Sequence, residues 1–196
     1  MKRIFDAVIS GIGLILLSPV FILLAILIKC DSSGSVFYKQ IRVGYRNSEF
    51  NLYKFRSMRI GAEKKGLITI GGRDPRVTSV GYFIRKYKLD ELPQLINVFL
   101  GDMSLVGPRP EVRKYVDLYT FEQMKVLDVR PGITDMASIC YRNENELLEK
   151  VKDPEKYYYE VIMQDKLRIN LEYIRKASFW FDMKLICQTF IVIIKE

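Results

Sequence analysis

Histidine is absent from the 196 residues. Its absence excludes a Ser-His-Asp triad, a Cys-His dyad and any histidine-ligated metal. An enzyme built on this chain draws its acid, base or nucleophile first from carboxylates. Cysteine is scarce: Cys30, Cys140 and Cys187 stand far apart with no CxxC pair, which argues for reduced thiols in a cytoplasmic setting. No A-x-A-like cleavage site follows the apolar start, so a signal peptide fits poorly. Internal repeats and low-complexity linkers are missing too, and the length suits one domain with a real core.

What is present begins with an apolar run, Ile4 to Ile28, containing GIGLILLSPVFILLAILI at residues 11–28. At about 1.5 Å per residue it is long enough to cross a hydrocarbon core of about 30 Å. Pro19 sits in its middle. It has no N–H for the Ile15 carbonyl and its ring crowds that carbonyl, so a helix kinks there. The Ser18 hydroxyl is placed to serve the freed carbonyl. Both flanks are basic: Lys2, Arg3 and the α-amino group before, Lys29, Lys39 and Arg42 after. Neither end favours the outside of a membrane. Two arrangements stay open at this level, a helix that dips in, bends at Ser18-Pro19 and returns, and a kinked spanning helix. A buried core helix would be unusually hydrophobic.

The net charge is +8, which suits anionic partners: phosphates, anionic lipid or nucleic acid. The charge is concentrated. Between Lys39 and Lys88 thirteen Lys or Arg face three acids, Glu49, Glu63 and Asp74, so this window carries +10. Lying beside the apolar run, most of these charges read as a surface for anionic headgroups, at about 1 kcal/mol each. The window has no nucleic-acid recognition motif.

Punctuation organises the remainder. Val36–Arg46 and Glu49–Met58, rich in β-branched and aromatic residues, predict a hairpin around Asn47-Ser48. Glu63–Arg76 is glycine-rich and reads as a loop. A helix is expected from about Asp90, with Leu89, Leu92, Leu95, Ile96 and Phe99 on one face, Pro93 in its first turn and Gly101 at its end. Helical segments are expected from about Glu111 to Leu127, and another helix from Asp153-Pro154 towards Arg175. The tail SFWFDMKLICQTFIVIIK is amphipathic, interrupted by Asp182 and Lys184, and is expected to lie in a membrane interface with Trp180 at headgroup level.

Two stretches are candidates for chemistry. If Asp90 caps its helix, Asp90 and Glu91 both sit in the first turn, where the macrodipole favours ionised carboxylates. An ionised aspartate among cations is a usable nucleophile towards activated phosphorus, and an adjacent glutamate suits Mg²⁺ shared with substrate phosphates. By spacing alone, ordinary helix capping is the more economical account. In Gly107-Pro108-Arg109-Pro110 two prolines fix one arginine, which suits either a fork for a diphosphate or a stiff turn.

The motifs taken together carry a family resemblance. KRIFD, the Ser18-Pro19 pair, VFYKQIRVG, FNLYKFRSM, DPRVT, LDELPQLINVFLGDMSLVGPRP, RPGIT and SFWFDMKLI run through the chain in this order. In them the chain resembles the monotopic phosphoglycosyl transferases, the bacterial sugar-transferase family that starts glycoconjugate assembly on polyprenol phosphate. The block around Asp90 is highly specific; the other motifs gain weight from their order. The size resembles that of small, catalytic-domain-only members.

The resemblance implies an α+β fold, mainly helical, with a re-entrant membrane helix broken at Ser18-Pro19, a small β-hairpin and amphipathic interfacial helices. Residues 1–30 would dip into the membrane and 31–196 would form the cytoplasmic catalytic domain, one functional unit on the cytoplasmic face of a bacterial inner membrane. The implied reaction moves a sugar 1-phosphate from a UDP-sugar to undecaprenyl phosphate in two steps, releasing UMP. Asp90 would be the nucleophile and Glu91 the Mg²⁺ ligand. Arg85 and Arg109 would contact phosphate and nucleotide, Pro108 and Pro110 would shape the loop, and Lys54 and Arg56 would add charge. Undecaprenyl phosphate, the UDP-sugar and inner-membrane lipids are the implied partners, with a homodimer left open. The chain departs from the family's tryptophan-containing GITGWA at Ile133-Thr134-Asp135-Met136-Ala137, so the sugar stays unnamed. The reading from another class is a membrane-attached polybasic module that binds lipid or nucleic acid without turnover. It accounts for the +10 window but not for Asp90-Glu91 beside GPRP.

Overall fold

The Ser18-Pro19 pair bends the first apolar segment as its chemistry demands. In the computed structural model, which describes residues 2–62 and 74–194, helices α1 (Lys2–Leu16) and α2 (Ser18–Asp31) meet at 60°. The Ser18 hydroxyl donates to the Ile15 carbonyl at 2.7 Å, so the acceptor that Pro19 cannot serve keeps a partner. Among the described residues no single helix is long and apolar enough to cross a membrane; only the bent pair, taken together, passes by length and composition.

Strands β1 (Phe37–Val43) and β2 (Glu49–Phe55) form the expected antiparallel hairpin, in register from Phe37 opposite Phe55 to Val43 opposite Glu49. Their connection passes through Arg46 and Asn47, both left-handed, with φ of 54° and 60°. Of the stretch read as a glycine-rich loop, residues 63–73 lie outside the described residues. Helix α3 (Ser79–Lys86) starts on Thr78, whose hydroxyl accepts from the Gly81 N–H at 3.0 Å. Asp31, at the end of α2, accepts from the Val80 N–H at 3.0 Å and so ties α2 to α3.

The helix expected from Asp90 begins later. A single 3₁₀ turn (Leu89–Glu91) precedes α4 (Gln94–Leu100). Pro93 has no N–H to close a regular turn backwards, and the turns before it are closed by shorter bonds, Glu91 to Lys88 and Leu92 to Leu89, both at 3.2 Å. The turn is entered through left-handed Lys88 with no side-chain cap, so Asp90 is not a capping residue. The end is where the sequence predicts it, at Gly101 with φ 102°.

Strands β3 (Ser104–Val106) and β4 (Gly132–Thr134) pair in parallel. Between them lie α5 (Arg113–Val116) and a 3₁₀ segment (Gln123–Asp128), within the stretch where the sequence predicts helical segments, Glu111–Leu127. The break between the two has a local cause. Thr120 N–H donates to the Gln123 side chain at 2.9 Å and the Gln123 N–H donates back to the Thr120 hydroxyl at 3.4 Å, a reciprocal cap that restarts the chain. Three short helices follow, α6 (Met136–Cys140), α7 (Glu144–Glu149) and α8 (Pro154–Tyr157), the last capped by Asp153. A π-turn (Tyr158–Ile162) joins α8 to α9 (Met163–Lys176), giving the helical run predicted after Asp153-Pro154, and α10 (Phe179–Ile194) ends the described chain.

The main apolar cluster joins Val43, Val116, Leu127, Leu148, Ile162 and Leu167, drawn from β1, α5, the 3₁₀ segment, α7 and the last long helical run. A second cluster, Leu24, Ile28, Phe55 and Ile84, pins α2 against β2 and α3. Polar ties hold α1 to the same body. Asp6 is buried and accepts from the Ser104 hydroxyl at 2.8 Å and the Leu105 N–H at 3.3 Å. Lys2 donates to the Val106 carbonyl at 2.9 Å and pairs with Asp182 at 2.6 Å; Tyr173 donates to the other Asp182 oxygen at 2.6 Å. Asp182, expected to interrupt the interfacial face of the tail, is therefore buried inside it, because it carries the counter-charge for Lys2. Trp180, the second residue of α10, is 80% exposed.

Candidate active site

The 3₁₀ turn before α4 sets two carboxylates in different surroundings. Glu91 is met by a fork: both terminal nitrogens of Arg109 donate to its two oxygens, the Oε2 contact at 3.2 Å, and Lys54 Nζ donates to Oε1 at 3.0 Å. Burial pushes the Glu91 carboxyl up, but the charges of Arg109 and Lys54 and their hydrogen bonds outweigh it and hold it well below the usual carboxylate range. Asp90 is buried, and that burial, with the neighbouring Glu91 charge, pushes its carboxyl up; Lys54, Arg85 and Lys88 oppose the shift without cancelling it. The sequence argument expected both groups to be held ionised by a helix N-terminus. The helix does not start at Asp90, and desolvation dominates there. Adjacent titratable groups pushed in opposite directions are a recurrent arrangement of acid–base and nucleophilic sites.

Arg109 is aimed by backbone pairing. The Gly107 N–H donates to the Thr134 carbonyl and the Gly132 N–H to the Pro108 carbonyl, both at 3.0 Å, so GPRP and RPGIT are locked side by side. A Cβ on Gly107 would lie 2.4 Å from the Arg130 carbonyl oxygen, and one on Gly132 would lie 2.1 Å from the Gly107 nitrogen, so neither site admits a side chain. From the opposite side Arg42 donates to the Pro110 carbonyl at 3.0 Å, and the Val43 N–H donates to the Glu111 carbonyl at 2.8 Å. Pro108 and Pro110 are buried in this sandwich, leaving Arg109 to reach Glu91. Glu91 pushes the Arg109 guanidinium further up, with Asp135 and Glu144 adding to the effect.

The structure thus brings Asp90, Glu91, Lys54, Arg109, Pro108 and Pro110 together. Arg85, in the last turn of α3, lies within electrostatic reach of Asp90. Arg56 is turned elsewhere. It is buried, and its two terminal nitrogens donate to the carbonyls of Ile28, Ser32 and Ser33 at the end of α2. There it serves the negative end of a helix, not the Asp90–Glu91 pair. Ser18 and Pro19 lie at the bend of the first two helices.

The chain is similar to known proteins over nearly its whole length. A family model described as bacterial sugar transferase matches residues 1–196. The chain belongs to the bacterial sugar transferase family. The UDP-glucose:undecaprenyl-phosphate glucose-1-phosphate transferase of Escherichia coli K12 is 38% identical over 197 residues, covering 96% of this chain and 39% of that protein. The UDP-N-acetylgalactosamine-undecaprenyl-phosphate N-acetylgalactosaminephosphotransferase of Aeromonas hydrophila is 38% identical over 96% of this chain and 42% of its own length. The chain therefore spans about two fifths of these relatives. It covers 85% of the sugar transferase EpsL of Bacillus subtilis, also at 38% identity.

Sequence reasoning about this family member missed several residues around the pair. Gln94, at the start of α4, is buried, and its amide nitrogen meets no acceptor among the described residues. Arg42 and Glu111 hold the Arg109 turn, and Tyr158 donates to Glu111 at 2.6 Å. No motif spacing could have found the Arg42, Glu111 and Tyr158 contacts, because they join positions tens of residues apart. Among the described residues no three His, Cys, Asp or Glu side chains form a metal cluster. Asp90 and Glu91 still suit Mg²⁺ in kind, since that ion takes one or two carboxylates and completes its shell with water and substrate phosphate. Both Glu91 oxygens are engaged by Arg109 and one also by Lys54, so a metal at Glu91 has to replace these cations.

Proposed function

We propose that this chain transfers a sugar 1-phosphate from a UDP-sugar to undecaprenyl phosphate through a phosphosugar bound to Asp90. The observation that carries the reading is the buried Asp90 carboxylate set beside a Glu91 neutralised by Arg109 and Lys54. Buried, and facing cations that a diphosphate can recruit, Asp90 is poorly solvated and so a better nucleophile than an exposed carboxylate. An Asp90 oxygen attacks the sugar-bearing phosphorus of the donor. The bond from that phosphorus to the oxygen bridging it to the uridine-bearing phosphate breaks, and UMP leaves with the electron pair. A phosphate oxygen of the lipid acceptor then attacks the same phosphorus and the Asp90–phosphorus bond breaks, leaving the polyprenyl diphosphosugar and a free Asp90 carboxylate. Arg109 moves its fork from Glu91 to the donor diphosphate, and Arg85 and Lys54 add charge against the same oxygens. Glu91 would hold Mg²⁺ here, and the ion would supply Lewis-acid stabilisation of the donor diphosphate. Transferase and substrate names among the relatives favour this reading over a polybasic module without turnover.

The same proposal makes residues 1–30 a re-entrant segment and residues 31–196 the cytoplasmic catalytic part, at the inner face of the bacterial membrane. In support, both ends of the bent pair are tied to one body: Lys2 and Asp6 to β3 and α10, Asp31 to α3 and the α2 terminus to Arg56. Large apolar side chains on α1, α2 and α10, including Ile4, Ile15, Leu16, Ile22, Trp180 and Phe190, are exposed. They form the surface a bilayer would cover.

The test is UMP release from a panel of UDP-sugars by protein in lipid nanodiscs. With donor and Mg²⁺ alone, UMP is expected in a single burst of up to one equivalent, together with a phosphosugar adduct on Asp90 by intact mass and peptide mapping. Adding undecaprenyl phosphate is expected to give continuous release. UMP appearing only after addition of the lipid acceptor refutes the covalent route, and no UMP from any donor refutes the transferase reading.

A further inference from the structure

Behind the Arg109 turn lies a cavity of about 40 Å³ that the proposed chemistry does not use. Its walls come from Pro108–Glu111, from the start of α6 and from the α8–α9 run, and Arg109 is common to this cavity and to the Glu91 contact. Two buried oxygens on its lining residues, Asp135 Oδ2 and Asn170 Oδ1, meet no donor among the described residues. Asp135 is 2% exposed and Asn170 5%. The other Asp135 oxygen is occupied, accepting from the Ser138 N–H at 2.8 Å as the cap of α6. The nearby charges are matched: Lys166 pairs with Glu144, and Glu111 takes Arg42 and the Tyr158 hydroxyl. The two oxygens therefore call for a group that donates hydrogen bonds, since a buried acceptor left without a donor costs about 1–3 kcal/mol.

The π-turn at Tyr158–Ile162 adds a second line of argument. Such widened turns interrupt α-helices mostly at functional positions. Here the cavity-lining residues of the run are Tyr158, Met163, Lys166, Leu167 and Asn170. The step from Tyr158 to Met163 spans five residues, one π-turn. The later positions recur at three and four, the α-helical spacing of one face.

We infer that this cavity reads one polar edge of the sugar carried by the donor, with Asp135 Oδ2 and Asn170 Oδ1 accepting hydrogen bonds from its hydroxyl or amide hydrogens. The inference rests on the transferase reading above. The sugar hangs from the phosphorus that Asp90 attacks, so a diphosphate gripped by Arg109 places the ring next to the wall that Arg109 shares with the cavity. The volume, room for about three waters, admits an edge of a hexose but not the ring. Discrimination is then expected by the hydrogen-bond donors at one part of the ring and not by overall bulk. A site built to bind a hydroxyl rejects an analogue lacking it strongly, because the buried acceptors go unpaired.

The experiment compares wild type with Asp135→Asn and Asn170→Ser in nanodiscs, measuring kcat/KM for UMP release from UDP-hexoses that are epimers or deoxy analogues at single carbons. Asn at 135 retains the oxygen that caps α6 and turns a donor into the cavity; Ser at 170 is a second variant on another element. The expected result is a loss of roughly tenfold or more in the preference between the best donor and its single-position analogue. The inhibition constant for UDP, which has no sugar, is expected to stay within about twofold of wild type, a difference under 0.5 kcal/mol. Unchanged sugar preference in either folded variant overturns the inference and leaves a cavity for ordered water only. No UMP from any donor with wild type overturns the transferase reading, and the sugar subsite falls with it.

Discussion

Replacing Glu91 by Gln tests the electrostatics of the site most directly. Gln keeps the shape but removes the negative charge on which Arg109 and Lys54 converge. In a fully buried pair, removing one partner costs about 3–5 kcal/mol because the other charge is left without compensation. Here Lys54 is 16% exposed and Arg109 35%, so water reaches the guanidinium and screens part of the loss. A destabilisation of about 2–3 kcal/mol is expected after that discount. For a chain of this size it corresponds to a fall in Tm of about 4–12 °C. The assay is thermal unfolding in nanodiscs with chelator present, on wild type, Glu91→Gln, Arg109→Gln and the double variant. The double variant is expected to be less destabilised than the sum of the single variants by about 1–3 kcal/mol. The pH dependence has a definite sign. The folded Glu91 carboxyl is depressed, so its contribution is fully present above the unfolded value of about 4.3 and is lost as pH falls through the folded value. The gap between wild type and Glu91→Gln should stay constant from pH 8 down to about 5 and close in more acid solution. A Glu91→Gln variant melting within about 1 °C of wild type at pH 7.5 would refute the pairing as a source of stability.

Other substitutions probe other links. Asp90→Asn should abolish the adduct and the UMP burst while raising Tm at pH 7.5, because burial pushes the Asp90 carboxyl up. Stability linked to a raised group is fully present below the unfolded value of about 3.9 and lost as pH rises through the folded value, so the advantage of Asn should grow with pH; a variant less stable than wild type at pH 7.5 contradicts this. Asp6→Ala strips partners from Ser104 and the Leu105 N–H and should cost about 1–3 kcal/mol, read as a Tm loss; an unchanged Tm would show that the tie to β3 contributes nothing. In a variant with the three native cysteines replaced, a cysteine ahead of Met1 and another at Ser35 should both label from the cytoplasmic side, and Pro19→Leu should move a fraction of one of them to the outside. Outside labelling of either without that substitution refutes the re-entrant arrangement. Chelation should stop turnover and added Mg²⁺ should restore it; full turnover in chelator removes the metal from the mechanism.

Local chemistry was legible in the sequence. A proline in an apolar helix with a serine before it has one outcome, and the bend is there with its hydroxyl on the Ile15 carbonyl. Alternating β-branched and aromatic residues around Asn47-Ser48 gave the hairpin, and the missing histidines directed attention to the carboxylates. Helix boundaries fared worse where a short-range competitor intervened. Pro93 delayed the start of α4, which altered the surroundings of Asp90.

What the chain alone determined, then, is which groups exist and which local turns they permit. Which groups face one another was decided by tertiary contacts. Lys54 and Arg56 look equivalent in sequence, two positions apart at the end of a strand whose side chains alternate, which would place them on one face. Strand β2 ends at Phe55, and the alternation ends with it. Lys54 goes to Glu91, whereas Arg56 goes to the carbonyls of Ile28, Ser32 and Ser33 at the end of α2, 23 to 28 residues earlier in the chain. Likewise Asp135 and Asn170 reveal nothing by spacing; they share a cavity because α6 and α9 pack together beside the Arg109 turn. Periodicity encodes the direction of a side chain within one element, but the field at a carboxylate depends on charges brought in from several elements, and burial, which sets its strength, is a property of the whole fold.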